Sequence, residues 1–280
     1  MREINVNEVY AVVKELCQET NISLAEDILS SLRKSVDYEQ SETGKKILKL
    51  MIDNAVTAKE KKMAICQDTG MVVIFLEIGQ DVHFYGGDLL ASVGKGVSDG
   101  YREGYFRPSV VSDPFKRENT GDNSPPVIYT SIIPGDKVVV TVAPKGFGSE
   151  HMSAVRMLTP ADGLSGVKKF ILEVVEKAGA NPCPPVIVGV GIGGTMDYAA
   201  LLAKKALLRP VNVWHENPEI AAIEKEVLEL INNTGIGPQG LGGRCTALAV
   251  HILTYPTHIA GLPVAVNIGC HVTRHMTKVI

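Results

Sequence analysis

The chain has 280 residues, 45% of them hydrophobic and 21% charged, enough apolar material for a large core or two smaller ones. A formal net charge of -3 with interspersed signs gives no basic patch and little electrostatic support for nucleic-acid binding, and no apolar run is long enough to span a membrane. The opening residues Met1-Arg2-Glu3-Ile4-Asn5 lack the apolar core of a secretory signal, so the expected location is cytoplasmic. Five widely spread cysteines, Cys17, Cys66, Cys183, Cys245 and Cys270, do not make a disulfide framework; reduced thiols or metal ligands remain.

Residues 1–63 read as helices. Val6, Val9, Val13 and Leu16 recur at helical spacing, which makes Cys17 core filler. Ser23-Leu24-Ala25-Glu26 has the form of a capping box ahead of Leu24, Ile28 and Leu32. A third helix carries Ile47, Leu48, Met51 and Ala55 with lysines opposite. Next comes Ala64-Ile65-Cys66-Gln67-Asp68-Thr69-Gly70, where a thiol, an amide, a carboxylate and a hydroxyl stand side by side before the β-rich run 71–78. A loop entering a strand can hold reactive groups on a rigid frame.

Residues 88–100 predict a glycine-containing helix with Leu89, Leu90 and Val93 inward. The stretch 101–126 is polar and broken by prolines, longer than a loop without a use, and contains Arg107 and Arg117, either of which makes a surface salt bridge or offers its planar donor fork to a ligand carboxylate. Runs 127–133 and 137–142, joined by Pro134-Gly135-Asp136, predict a hairpin. The glycines of Lys145-Gly146-Phe147-Gly148-Ser149-Glu150 either admit a ligand to backbone N–H groups or simply make a turn. A helix over 163–177 with Phe170, Ile171, Val174 and Val175 as its stripe should stop at Gly179.

Pro182-Cys183-Pro184-Pro185 leads into an apolar run and the glycines Gly189, Gly191 and Gly194, which satisfy G-x-G-x-x-G. A dinucleotide site is rejected, because no second strand ending in an acidic residue follows about twenty positions later. A helix over 196–208, a second opened by Asn217-Pro218, a glycine-rich loop over 235–243 and strands over 246–255 and 263–267 complete the pattern. The order predicts a mixed α/β (α+β) fold: a helical N-terminal subregion, then mixed β-sheets covered by helices. It reads as one domain over 1–280 with its site on loops at strand ends.

No two cysteines form C-x-x-C, so a local metal knuckle is excluded while a dispersed site is not. Cys66, Cys183 and Cys270 each sit beside an apolar run and glycine or proline; Cys245 also follows glycines, and position alone does not choose among the four.

Cys66-Gln67-Asp68-Thr69-Gly70, Asn181-Pro182-Cys183-Pro184-Pro185 with Gly191-Ile192-Gly193-Gly194-Thr195, and Ile268-Gly269-Cys270 together resemble, in order and spacing, three motifs of the class I iron–sulfur fumarate hydratases and L(+)-tartrate dehydratases. The resemblance covers most of the chain. It implies a 4Fe-4S cluster held by Cys66, Cys183 and Cys270, whose fourth iron is open to substrate, and it gives Cys17 and Cys245 no part. It also implies substrate contacts at Gln67, Arg107, Gly148 and His258, with Asp68 exchanging a proton with the departing hydroxyl. Phe147 departs from the family's glycine, which leaves the contacting amide of that loop open, with Gly148 the choice.

Single-chain members carry a further domain with basic residues and a threonine proposed as the base. This sequence has no match to it, so the resemblance implies the α subunit of a two-subunit enzyme, joined by a separately encoded β subunit in an α2β2 assembly. The expected reaction is reversible hydration of fumarate to L-malate. Alternatives are L(+)-tartrate dehydration, mesaconate hydration, and a non-catalytic iron–sulfur sensor, against which the acid Asp68 beside Cys66 argues.

Overall fold

The computed structural model describes all 280 residues. In chain order they form β1 (Arg2–Asn5), α1 (Val6–Ile22), α2 (Glu26–Tyr38), α3 (Glu42–Lys61), β2 (Met71–Gly79), β3 (Val82–Tyr85) and α4 (Leu89–Glu103). There follow β4 (Val127–Ile133), β5 (Val138–Lys145), the single turn α5 (Phe147–Glu150), β6 (Ala154–Leu158) and α6 (Gly163–Ala178). The chain continues through β7 (Val186–Gly194), α7 (Met196–Ala206), α8 (Pro218–Asn232), β8 (Ala247–Thr257), β9 (Leu262–Gly269) and β10 (Met276–Val279). The fold is mixed, as its alternation of helical and two-residue apolar periods requires. No helix is long and apolar enough to cross a membrane. Two compact units are present: Met1–Leu24 with Ala55–Phe147 and Arg274–Ile280, and Ala25–Asn54 with Gly148–Thr273.

The first unit is built on a four-stranded sheet of order β10-β5-β2-β4, with β1 and β3 pairing in parallel as a separate ribbon. Alternate residues Val72, Ile74 and Leu76 of β2 and Val138, Val140 and Val142 of β5 share a core with Val9, Val13 and Leu16 of α1 and Val93 and Val97 of α4. Each such buried side chain contributes roughly 1.5–3 kcal/mol by leaving water. Cys17 belongs to this core. Gly96 and Gly100 let α4 lie close on α1, since a Cβ on Gly96 would stand 2.8 Å from the Tyr10 carbonyl oxygen.

Three local expectations are corrected here. β4 and β5 are not a hairpin: β2 lies between them, parallel to β4 and antiparallel to β5. Pro134-Gly135-Asp136 does reverse the chain, but across one strand's width, and the turn region receives N–H groups from the end of β2, Gly79 N to Lys137 O at 2.8 Å and Asp81 N to Gly135 O at 3.0 Å. A strand as apolar as β2 is best buried with neighbours on both edges. The capping box sits on α1, where Asn5 and Glu8 make it, whereas Ala25 caps α2 without a side-chain bond and the Ser23 N–H closes α1 on Glu19 O. Finally, Leu90 is 52% exposed, while Val93 is buried.

The second unit has the sheet order β6-β9-β7-β8, with β8 parallel and β9 antiparallel to β7. On one face Phe170, Ile171 and Val174 of α6 and Val227 and Ile231 of α8 pack on Val188, Val190, Val250, Ile252, Val264 and Val266. On the other face α7 brings the small residues Ala199 and Ala203 against Ala265, with Leu202 beside Gly191. The glycine pattern of β7 serves this approach: a Cβ on Gly189 would lie 2.2 Å from Ala203 O, and one on Gly191 only 2.0 Å from Ala199 O. Close helix packing is thus the use of these glycines.

Two buried carboxylates fasten the rim of this unit. Glu224, fully buried, is paired with Arg209 and accepts His215 N at 2.9 Å and Ile252 N at 2.7 Å, the latter an outward N–H of the edge strand β8. Glu39, at the α2–α3 joint, accepts the N–H groups of Gln40, Ser41, Arg244 and Cys245. Burial pushes the Glu39 carboxyl up, but these amides outweigh it and hold it below the usual range. His251 of β8 is buried on the α7 face; its Nδ1–H donates to Ala206 O at 3.1 Å, which leaves Nε2 as the unprotonated nitrogen.

Two outcomes follow from this packing. Gly191→Ala should destabilise the chain by about 1–3 kcal/mol in urea unfolding, because a backbone carbonyl blocks the added methyl. Burial and then the Arg209 charge lower the His251 pKa to about 4 from 6.5, so the unfolded chain takes up a proton that the folded chain refuses. Stability present above pH 6.5 is therefore lost as the pH falls towards 4, by about 3 kcal/mol at most. Urea midpoints across this window should fall steeply in the wild type and less so in His251→Leu; equal slopes would remove His251 from the account.

Candidate active site

In the first unit, the loop 62–70 leaves α3 and enters β2 with Cys66 half-buried, Gln67 exposed and Asp68 half-buried. Met71 pairs with Lys145, so the Asp68 loop and the chain leaving β5 meet at one end of the sheet. There the Asp68 carboxylate accepts Gly70 N at 3.0 Å through Oδ1 and Phe147 N at 2.8 Å through Oδ2. Its main-chain oxygen accepts Arg274 Nη2 at 2.7 Å. Gly70 is required here: φ is +78°, and a Cβ would stand 2.8 Å from Lys145 N.

The long segment after α4 is fastened to the same loop, which is its structural use. Thr69 Oγ1–H donates to Arg107 O at 2.7 Å, the buried Tyr101 hydroxyl donates to Thr69 O at 2.6 Å, and Asn123 Nδ2 donates to Gly70 O at 3.1 Å. Arg107 is thereby tied by its backbone to the Cys66 loop, while its exposed guanidinium touches only Ser109 Oγ, through Nε at 3.4 Å. Arg117 is exposed on the far part of this segment, its N–H on Asp113 O.

In the second unit, Gly179 ends α6 with φ +52°, and the turn Ala180 to Cys183 closes with Cys183 N on Ala180 O at 3.0 Å. Cys183 is exposed and has φ +56°, a left-handed backbone costly for a residue with a Cβ. Cys270 is half-buried at the end of β9, its carbonyl accepting Thr273 N and Oγ1 at 2.9 and 2.8 Å. The two cysteine loops are joined by His271, whose Nδ1–H donates to Cys183 O at 2.9 Å. Gly148 is exposed at the start of this unit, a Cβ built on it standing 3.6 Å from Asn181 O.

His258 is placed differently. It is exposed in the β8–β9 turn, with Nδ1 accepting Ala260 N at 3.2 Å. Thr257 pairs at Gly194, whereas Gly269 pairs at Ile187, so His258 and Cys270 stand at opposite ends of one sheet, roughly 23 Å apart along the strands.

The chemistry of the donors separates the five thiols. Cys17 is buried and burial pushes its thiol up. Cys245 is buried with Sγ against Ser35 O, and burial with the neighbouring Glu39 charge pushes its thiol up to about 12. Neither suits thiolate ligation, whereas Cys66, Cys183 and Cys270 reach solvent from loops. No three Cys, His, Asp or Glu side chains are gathered as a metal centre in the chain. Arg244 is engaged elsewhere, stacked on the Tyr38 ring at 4.8 Å. Arg274 and His271, the supports of Asp68 and Cys183, were missed in the sequence; their only signal is their position just after the Cys270 motif.

A family model described as "Fumarate hydratase (Fumerase)" matches residues 10–279. The chain is 44% identical over 273 residues to a Methanocaldococcus jannaschii protein named "Putative L(+)-tartrate dehydratase subunit alpha", covering 95% of each chain. It is 33% identical over 279 residues to the L(+)-tartrate dehydratase subunit alpha of Escherichia coli O157:H7, covering 98% of this chain and 91% of that one, and equally so to that of strain K12. With near end-to-end coverage by both comparisons, the chain belongs, as an alpha subunit, to the fumarate hydratase family of hydro-lyases.

Proposed function

We propose that this chain is the cluster-bearing subunit of an enzyme that reversibly hydrates fumarate to L-malate, in the reducing cytoplasm, with its two units acting as one functional domain over 1–280. The observation that carries the reading is the Cys66 loop: an accessible thiol two residues from a carboxylate fixed by two amides, with the backbone of an arginine whose guanidinium is exposed tied to the same loop. The relatives' names as alpha subunits imply a separate partner subunit; we infer an α2β2 assembly.

In this reading Cys66, Cys183 and Cys270 hold a 4Fe-4S cluster. When bound, it supplies a Lewis-acid iron that polarises the substrate's hydroxyl and carboxylate oxygens. Arg107 offers its guanidinium fork to a substrate carboxylate, and Gln67 and a Gly148 amide hold further oxygens. In the dehydration direction a base on the partner subunit takes the carbon-bound proton, the C–O bond breaks, and Asp68 gives its proton to the departing hydroxyl, which leaves as water. In hydration Asp68 takes that proton back from water. His258, at the far end of its own sheet, contributes to the pocket of a neighbouring copy in the assembly. The relatives' names favour L(+)-tartrate dehydration as the second reading.

The chain should be purified anaerobically with its partner subunit and assayed on fumarate, L-malate, L(+)-tartrate and mesaconate. The proposal expects the highest kcat/KM on fumarate and L-malate, no turnover by the isolated chain, and loss of activity in air. Asp68→Asn should lower kcat at least about 100-fold. Preference for L(+)-tartrate would establish the second reading, and full turnover by Asp68→Asn would remove Asp68 from the chemistry.

A further inference from the structure

The Cys183 loop is held from a part of the chain that has no motif role. Pro184 O, the carbonyl immediately after Cys183, accepts two hydrogen bonds from one residue: Gln239 N at 2.8 Å and Gln239 Nε2 at 3.2 Å. Gln239 itself has φ +53°, so two non-glycine residues in the left-handed region, Cys183 and Gln239, face each other across one carbonyl. Such backbone strain persists only where the surroundings over-determine it.

The surroundings of Gln239 do so. It lies in the glycine-rich loop 235–243, which is cross-braced by Gly242 N on Ile236 O at 2.9 Å, Gly240 N on Gly237 O at 3.0 Å and Gly237 N on Thr246 Oγ1 at 3.1 Å. Gly240 sits against the turn that precedes Cys183, where a Cβ would come within 2.3 Å of Ala180 Cβ. The loop's exit is gripped by the buried Glu39 carboxylate through Arg244 N at 2.9 Å and Cys245 N at 2.7 Å. A rigid anchor therefore ends in a fork on the residue beside Cys183. The other main-chain bonds of Cys183, to Ala180 and His271, come from its own turn and from the Cys270 loop.

We propose that Gln239 is a positioning residue for Cys183, holding the thiol in a fixed place through the Pro184 carbonyl. The inference rests on Cys183 being a cluster ligand. A thiolate on a loosened loop leaves a cluster faster, because its return competes with water and oxygen, so the effect falls on retention before it falls on folding.

The test uses the full chain with its partner subunit, reconstituted anaerobically with iron and sulfide. Gln239→Gly keeps a left-handed backbone without strain and removes the side-chain donor. Gln239→Glu keeps the length but sets oxygen against oxygen at Pro184. Iron per chain, the rate of bleaching by an iron chelator and the melting temperature of the metal-free chain are measured for both and for Cys183→Ser. Both Gln239 variants should bleach several-fold faster than wild type, and metal-free Gln239→Gly should melt no lower than wild type. Wild-type bleaching in both variants, or faster bleaching only in step with lowered metal-free melting temperatures, would overturn the positioning role. Full iron in Cys183→Ser would instead overturn the ligand assignment on which it rests.

Discussion

The close antiparallel approach of β2 and β5 at Gly70 and Lys145 is the constraint on which the geometry of the first unit's Cys66 loop depends. It brings the Phe147 amide onto the Asp68 carboxylate and leaves no room for a side chain at position 70. Once that junction is made, Tyr101, Thr69 and Asn123 fasten the long segment after α4 to it, and Arg107 comes with the segment. A carboxylate with two amide donors is held more sharply than one left to solvent.

The second unit solves a similar problem with different means. Cys183 and Cys270 stand on loops at the start of β7 and the end of β9, where the strands are central in the sheet and so rigid. The loops are held at their backbone carbonyls by side-chain donors: His271 Nδ1–H donates to Cys183 O, Thr273 Oγ1–H to Cys270 O and Gln239 Nε2–H to Pro184 O. Glu39 and Glu224, buried and saturated with N–H donors, hold the rim; removing their partners would strand charge in an apolar setting, which is far costlier than the bonds are worth when made.

Much of this was legible in the sequence where one rule dominates. α6 with Gly179 as its stop and α8 with Asn217-Pro218 at its start were readable because periodicity and capping agree there. The glycine spacing of β7 was visible too, and Gly189 and Gly191 make room for the backbone of α7. The failures share a cause. Pro134-Gly135-Asp136 signals a reversal, but turn chemistry says nothing about a third strand entering between the two it joins. The short strands β1, β3, β6 and β10 carry too few residues for a period to show. In the site, the motif residues were visible because their types are chemically unusual side by side. Arg274, His271 and Gln239 were not, because they act on backbone carbonyls, and any donor of the right length serves such a bond.

The central claim is that three particular thiols, one from the Cys66 motif and two from the loops flanking β7 and β9, hold the cluster. It is tested most directly by counting iron and sulfide, with the low-temperature electron paramagnetic resonance spectrum, in five single Cys→Ser variants reconstituted without oxygen. The account predicts loss of the cluster in Cys66→Ser, Cys183→Ser and Cys270→Ser, and wild-type iron in Cys17→Ser and Cys245→Ser. Full iron in any of the first three, or a lost cluster in Cys245→Ser from a chain that still folds, would contradict it.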